Sequence, residues 1–303
     1  MSFDAAEHRR RSAEAWDAAA SGWTGRAETL RAFGAPVSEW MLGAASLQPG
    51  QHVLELAGGL GETGLLAAAR VAPGEVILSD RSEGMLDGAR ARAAELGVDN
   101  VEFRVIDAES IDLDVACVDA VLCRWGYMLM ADPGAALAET RRVLRPGGRL
   151  ALSVWDSIER NPWAAVPAQV LRDHGSAGVG PGPVPAAGAG TSDVDGGRAP
   201  AGEREPGPFT LSDHGELTEL LHDAGFTGVR IEPIELWRRH RSFDEFWDVT
   251  LDLSRGVHDA VMALPEPEIE QVRAAIEEGL APFTAAAGEM EIPAQALGAA
   301  ADA

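Results

Sequence analysis

The chain of 303 residues contains no lysine; all 25 positions counted as lysine or arginine are arginine. That absence removes whole chemistries: no Schiff base, no Tyr-x-x-x-Lys pair and no phosphate-binding Walker lysine can operate here. Cysteine is nearly absent too. Cys117 and Cys123 flank or lie in one apolar stretch, CVDAVLC, six residues apart on one strand face. They read as buried reduced thiols, not as a disulfide or metal ligands. The seven histidines show no H-E-x-x-H or other ligand spacing, so no metal is assigned. No apolar run reaches the roughly 20 residues that span a bilayer. Basic residues near the N-terminus are not followed by an apolar segment, so no signal peptide is expected and the default location is cytoplasmic. Acids outnumber bases by 48 to 25, giving a net charge of -23. That field repels a phosphate backbone and disfavours nucleic-acid partners.

An apolar fraction of 46% suits a globular chain with a substantial core. Its organising stretch is Val53-Leu54-Glu55-Leu56-Ala57-Gly58-Gly59-Leu60-Gly61-Glu62-Thr63-Gly64. The first residues form a short buried strand, the small residues a tight turn, and Leu60 to Arg70 a helix. Such a turn exposes backbone to a ligand and aims a helix N-terminus at it.

The strand-helix alternation continues along the chain. Residues 5–46 are expected to be helical, with Trp40 pinning them to the body and Trp16 or Trp23 either doing the same or roofing a pocket. Strands are expected at Glu75–Asp80, Val101–Ile106, Val118–Cys123 and Arg149–Trp155. Helices are expected from Ser82, as N-cap, to Leu96 and from Asp132-Pro133 to Leu144. This spacing predicts right-handed β-α-β units and a parallel sheet. Residues 156–173 form a helical excursion. Residues 174–207 are Gly/Pro/Ala-rich, a composition that favours disorder over a lid. Order resumes with a helix over Leu211–Ala224 capped by Ser212. A strand near Val229–Trp237, helices at 243–254 and 266–283, and a final strand near Met290–Leu297 follow.

Two ligands fit the glycine turn. Gly59, Gly61 and Gly64 satisfy the dinucleotide fingerprint G-x-G-x-x-G, with Asp80 about 20 residues on. The same stretch also satisfies an acid followed by (G/A)-x-G-x-G, through Glu55, Ala57, Gly59 and Gly61. That second pattern suits S-adenosylmethionine (SAM). Glu55 inside the strand can face a sulfonium and an α-amino group. Asp107 with Ala108 can hold an adenine edge, and the chain closes on two strands with an extra helical segment between them. Hydride-transfer partners for a dinucleotide are not visible.

These residues, with Asp80-Arg81 and Met85, Arg124-Trp125-Gly126-Tyr127-Met128, Arg142-Val143-Leu144-Arg145-Pro146-Gly147-Gly148, Asn161-Pro162-Trp163 and Gly207-Pro208-Phe209, resemble class I SAM-dependent methyltransferases. The branch is that of the ubiquinone/menaquinone-biosynthesis C-methyltransferases. The resemblance implies a Rossmann-like α/β fold: a doubly wound seven-stranded sheet of order 3-2-1-4-5-7-6, its last strand antiparallel. It also implies a division into a helical cap (1–46), a SAM-binding core (47–155), an insertion (156–207) and a C-terminal part of the core (208–303) with a helical cap insertion (243–283).

It assigns Glu55, Ala57, Gly59 and Gly61 to the methionine part or to shaping its turn. Asp80 goes to the ribose, Arg81 and Met85 to the faces of the adenine, and Asp107 and Ala108 to its edge. Arg124 goes beside the methionine end, where a structural ion pair is the alternative. Ala57 departs from the commoner glycine. The implied activity is methyl transfer from SAM to a small-molecule acceptor, apolar or aromatic, leaving S-adenosylhomocysteine (SAH). The alternatives are a NAD-dependent oxidoreductase and a non-catalytic SAM-binding protein. His240, His214 and Tyr127 are the candidate bases, each better suited to a surface or structural role, so no catalytic residue is assigned. Trp155, Trp163, Trp237 and Trp247 suit an aromatic acceptor or core packing, and a homo-oligomer is compatible with the sequence.

Overall fold

The computed structural model describes residues 3–175 and 205–303. The stretch expected to be disordered, 174–207, falls largely outside the described residues. Seven strands form one sheet in the order β3-β2-β1-β4-β5-β7-β6. They are β1 (His52–Glu55), β2 (Glu75–Asp80), β3 (Val101–Val105), β4 (Val118–Arg124), β5 (Leu144–Trp155), β6 (Thr227–His240) and β7 (Met290–Asp302). Strands 1 to 5 pair in parallel, and β7 runs antiparallel between β5 and β6. The central strands are buried on both faces, hence their continuous apolar runs: Val53, Leu54, Val121, Leu122, Leu150 and Leu152 are sealed from solvent.

Ten helices flank the sheet among the described residues: α1 (Ala5–Gly25), α2 (Ala27–Ala44), α3 (Glu62–Val71), α4 (Glu83–Leu96), α5 (Pro133–Val143), α6 (Pro162–Asp173), α7 (His214–Asp223), α8 (Phe243–Leu253), α9 (Arg255–Met262) and α10 (Glu266–Leu280). Ser82 caps α4 as expected, its hydroxyl accepting from the Met85 N–H at 3.2 Å. The N-terminal helical stretch divides at Arg26. Its second half, α2, packs on β5, β6 and β7, while α1 packs on α4 and α8. Trp40 does pin α2: its ring lies so close to Gly298 of β7 that a Cβ there would meet it at 2.6 Å, and its N–H donates to Glu232 at 3.1 Å.

Three expectations need correction. The cap of α7 is Asp213, which accepts from the Glu216 N–H at 2.9 Å; the Ser212 hydroxyl instead donates to the Phe209 carbonyl at 2.9 Å. Segment 243–283 holds three helices, because Ser254 ends α8 and caps a further helix, α9. The last strands are longer than expected. The antiparallel β6–β7 pair continues to His240–Met290, well past Trp155, which aligns with Ala296. That extension rises above the C-terminal edge of the parallel strands, the edge on which open α/β sheets carry their ligands.

Candidate functional site

β1 delivers Glu55 to the C-terminal edge, and the chain then turns through Ala57, Gly58, Gly59 and Gly61 into α3. Ala57, Gly59 and Gly61 have positive φ, of 51°, 54° and 82°. For the glycines this is free; for Ala57 it costs about 1 kcal/mol. Nothing lies within 4 Å of where a Gly59 side chain would begin, so its backbone is bare.

Glu55 is 1% exposed, and its Oε2 accepts the Gly64 N–H at 2.9 Å. It thereby caps α3, whose N-cap residue, Gly61, has no side chain to do so. Gly64 must be glycine for this: a Cβ there would sit 2.2 Å from Glu55 Oε2. The second oxygen of Glu55 has no donor among the described residues, and Glu55 lines the cleft. Burial pushes its pKa up from 4.5 to about 8, with Arg124 pulling the other way.

Asp80, at the end of β2, braces the turn. It accepts the Gly59 N–H and the Ser82 N–H, both at 2.9 Å, and its burial raises its pKa. Asp107, after β3, accepts from Arg81 at 3.0 Å and from the Glu109 N–H at 3.0 Å. Arg124, ending β4, pairs with Glu62 at 2.9 Å, and its Nη1 is buried without a partner. Gly34 of α2 makes room for that guanidinium, since a Cβ there would meet Nη1 at 1.9 Å.

Glu55, Ala57, Gly58, Gly59, Glu62, Asp80, Asp107 and Arg124 border one cleft, whose atom-free space, open solvent included, is about 910 Å³. Nine of the ten expected binding residues line it: Glu55, Ala57, Gly59, Asp80, Arg81, Met85, Asp107, Ala108 and Arg124. Gly61 does not; it faces the packing of α3 on the sheet, where a Cβ would meet Leu78 at 2.8 Å, so it shapes the turn. Arg124 both joins an ion pair and faces the cleft. Trp16 and Trp23 also do both jobs. Their rings meet edge to face at 5.1 Å, border the cleft, and pack with Ala20, Leu60 and Met85 to hold α1 down. Arg9 reaches Glu109 at 2.5 Å, and Asp17 takes the Ser82 hydroxyl, fastening α1 to the cleft rim.

Among the lining residues that the sequence reading did not assign to the site are Glu62 and Trp125. Trp125 has φ of 58°, an outlier for a bulky residue and of the kind that clusters at functional sites. Its N–H donates to the Ser153 carbonyl at 2.9 Å, and its ring stacks on Trp155 at 4.5 Å.

The candidate bases lie elsewhere. The Tyr127 hydroxyl is sealed against Thr140 at 2.6 Å, and burial raises its pKa well above the usual value. His214 is exposed at the start of α7. His240 is buried against Phe246, and desolvation lowers its pKa to about 4. Trp155, Trp163 and Trp247 are buried, whereas Trp237 is 48% exposed on the outer face of β6 and is no lining residue. Cys123 is buried and Cys117 half-buried, and both are free thiols. Among the described residues no helix is long and apolar enough to cross a membrane.

A sheet of this order, with an acid-glycine turn after its first strand and acids after the next two, defines a class I Rossmann-like methyltransferase fold. Residues 47–175 match the family model described as "Methyltransferase domain", and this stretch, with the sheet it builds, is a methyltransferase domain of the class I fold. The ubiquinone/menaquinone biosynthesis C-methyltransferase of Acidiphilium cryptum is 42% identical over 105 residues, 34% of this chain and 41% of that protein. The arsenite methyltransferase of Halobacterium salinarum is 30% identical over 224 residues, 74% of this chain and 48% of that protein. These matches thus span less than half the length of either relative. In fold, the chain resembles the YcgJ protein of Bacillus subtilis, with a TM-score of 0.56 at 17% identity, covering 88% of this chain and 97% of that one.

Proposed function

We propose that this protein transfers a methyl group from SAM to an organic small-molecule acceptor. The observation that carries the reading is a buried carboxylate, Glu55, with one oxygen spent on Gly64 and the other left over beside a bare-backbone turn. A cationic ligand portion is what such a group requires, because a buried unpaired carboxylate is costly. Arg124, which lines the cleft, fits a carboxylate nearby, as the amino-acid end of SAM would supply. Asp80 would take the ribose hydroxyls, and Asp107 with Ala108 the adenine edge.

When bound, SAM supplies a methyl group already activated by positive charge. The chain's part is alignment and exclusion of water, so proximity provides most of the rate. α1, fastened by Arg9 and Asp17, closes one side, and Trp125 forms the wall where an acceptor approaches. No side chain of the cleft is assigned as general base; one is required only if the acceptor atom must lose a proton.

The relatives' acceptors differ in kind, and the thiols favour an organic one. A soft arsenic centre calls for thiolates. Cys123 is buried with its pKa raised to about 12, and Cys117 precedes β4 at the end opposite the cleft. The experiment is to incubate the protein with SAM and a panel of aromatic and apolar acceptors and to quantify SAH. SAH that accumulates with an organic acceptor supports the reading. Tight SAM binding with no SAH from any acceptor would favour a non-catalytic binder, and NAD binding in place of SAM would favour an oxidoreductase.

A further inference from the structure

Along the extended end of β6 the side chains alternate. Ile234, Leu236 and His240 are buried, while Glu235, Trp237 and Arg239 are exposed. Arg238 stands in the inward row, where an apolar residue belongs. Its neighbours are matched by acids: Arg239 pairs with Glu291 at 2.8 Å and Arg241 with Glu245 at 2.9 Å. Arg238 has no such partner among the described residues; burial alone lowers its pKa to about 10, with no neighbouring charge contributing.

Two aromatic faces hold it instead. Its guanidinium carbon lies 4.5 Å from the Trp163 ring centre and 5.2 Å from that of Phe33. Both rings touch Trp155, at 5.1 and 5.9 Å, and Trp155 stacks on the cleft-lining Trp125 at 4.5 Å. Asn161 fixes the arrangement, accepting from the Trp163 indole at 3.0 Å and the Gln295 N–H at 3.1 Å. The ladder carries Arg238 past Ile234, the residue level with Trp155, so it stands above the C-terminal edge of the sheet. Arg238 as a whole residue is half-buried, and none of its guanidinium nitrogens is among the side-chain atoms sealed without a partner, so its donors are reachable. Aromatic faces attract the cation but accept none of its five N–H donors in plane.

We propose that Arg238, seated on Phe33 and Trp163, binds a carboxylate carried on the planar body of the acceptor and so selects anionic aromatic acceptors. The word acceptor rests on the methyltransferase reading; the anion site itself does not. The test is calorimetry with 1-hydroxy-2-naphthoate and its methyl ester, with and without saturating SAH. The acid should bind roughly ten- to hundred-fold more tightly than the ester. Arg238→Met, which keeps the stem, should erase that preference and leave ester binding unchanged. Arg238→Lys should retain part of it, as a point charge lacking the planar fork. Thermal melts report whether each variant folds; should the methionine variant not fold, Arg238→Gln takes its place in the comparison. Equal binding of acid and ester, a preference that survives loss of the charge, or no binding of either compound at about 1 mM overturns the proposal. Failure of SAH to bind the wild type would count against the methyltransferase reading instead, because the acid preference is also read without SAH.

Discussion

Replacing Glu55 by Gln should stabilise the ligand-free protein while weakening its hold on SAM. The folded-state pKa of Glu55 is about 8 against an ordinary 4.5, because burial penalises the charged form. Between those values the unfolded chain has released the proton and the native chain has not. Stability contributed by this group therefore falls as pH rises through that window. At about pH 7 the deficit is about 3 kcal/mol; above pH ~8 it levels off at about 5 kcal/mol, and below pH ~4.5 it vanishes. Glutamine keeps an oxygen for the Gly64 N–H, now 2.9 Å from Glu55, so the cap of α3 survives. Melting curves of wild type and Glu55→Gln should coincide near pH 4 and separate by several degrees near pH 8, with the variant higher. Equal stability at both pH values, or a less stable variant at pH 8, would mean that Glu55 is ionised beside Arg124 in the native state and would refute the argument. The same titration implies that SAM binding near neutral pH releases a proton from Glu55, which calorimetry in buffers of different ionisation heat would detect.

Gly64→Ala places a methyl group 2.2 Å from Glu55 Oε2 and must displace that carboxylate; SAH affinity should fall at least about ten-fold by calorimetry. Ala57→Gly relieves a left-handed alanine at φ 51° and should raise stability by up to about 1 kcal/mol in urea melts, partly offset by the freer unfolded chain. Tyr127→Phe removes the buried bond to Thr140; it should cost about 1 kcal/mol of stability and leave methyl transfer unchanged, as a catalytic tyrosine would not.

The first half of the fold was legible because glycine and acid spacing dictates it. A turn that must pass Ala57, Gly59 and Gly61 at positive φ, followed by acids ending β2 and just past β3, can be read residue by residue. The sheet order came through the family resemblance, since no local pattern says that β7 inserts between β5 and β6. Ser212 and Asp213 are both competent caps, and only the tertiary position of the Phe209 carbonyl decides between them. The eight residues of α9 are too few for a clear period. Glu62 and Trp125 were not readable as site residues because their roles depend on long-range partners, the Arg124 guanidinium and the Trp155 ring. Arg238 sits in the arginine-rich run Arg238-Arg239-His240-Arg241, and only the strand register separates it from its solvated neighbours.

The most direct measurement is calorimetric titration of the wild-type protein with SAH and, separately, with NAD. The account predicts one SAH site per chain, weakened strongly by Asp80→Ala, and no heat from NAD. Saturable NAD binding without SAH binding, or SAH binding indifferent to Asp80, would contradict it.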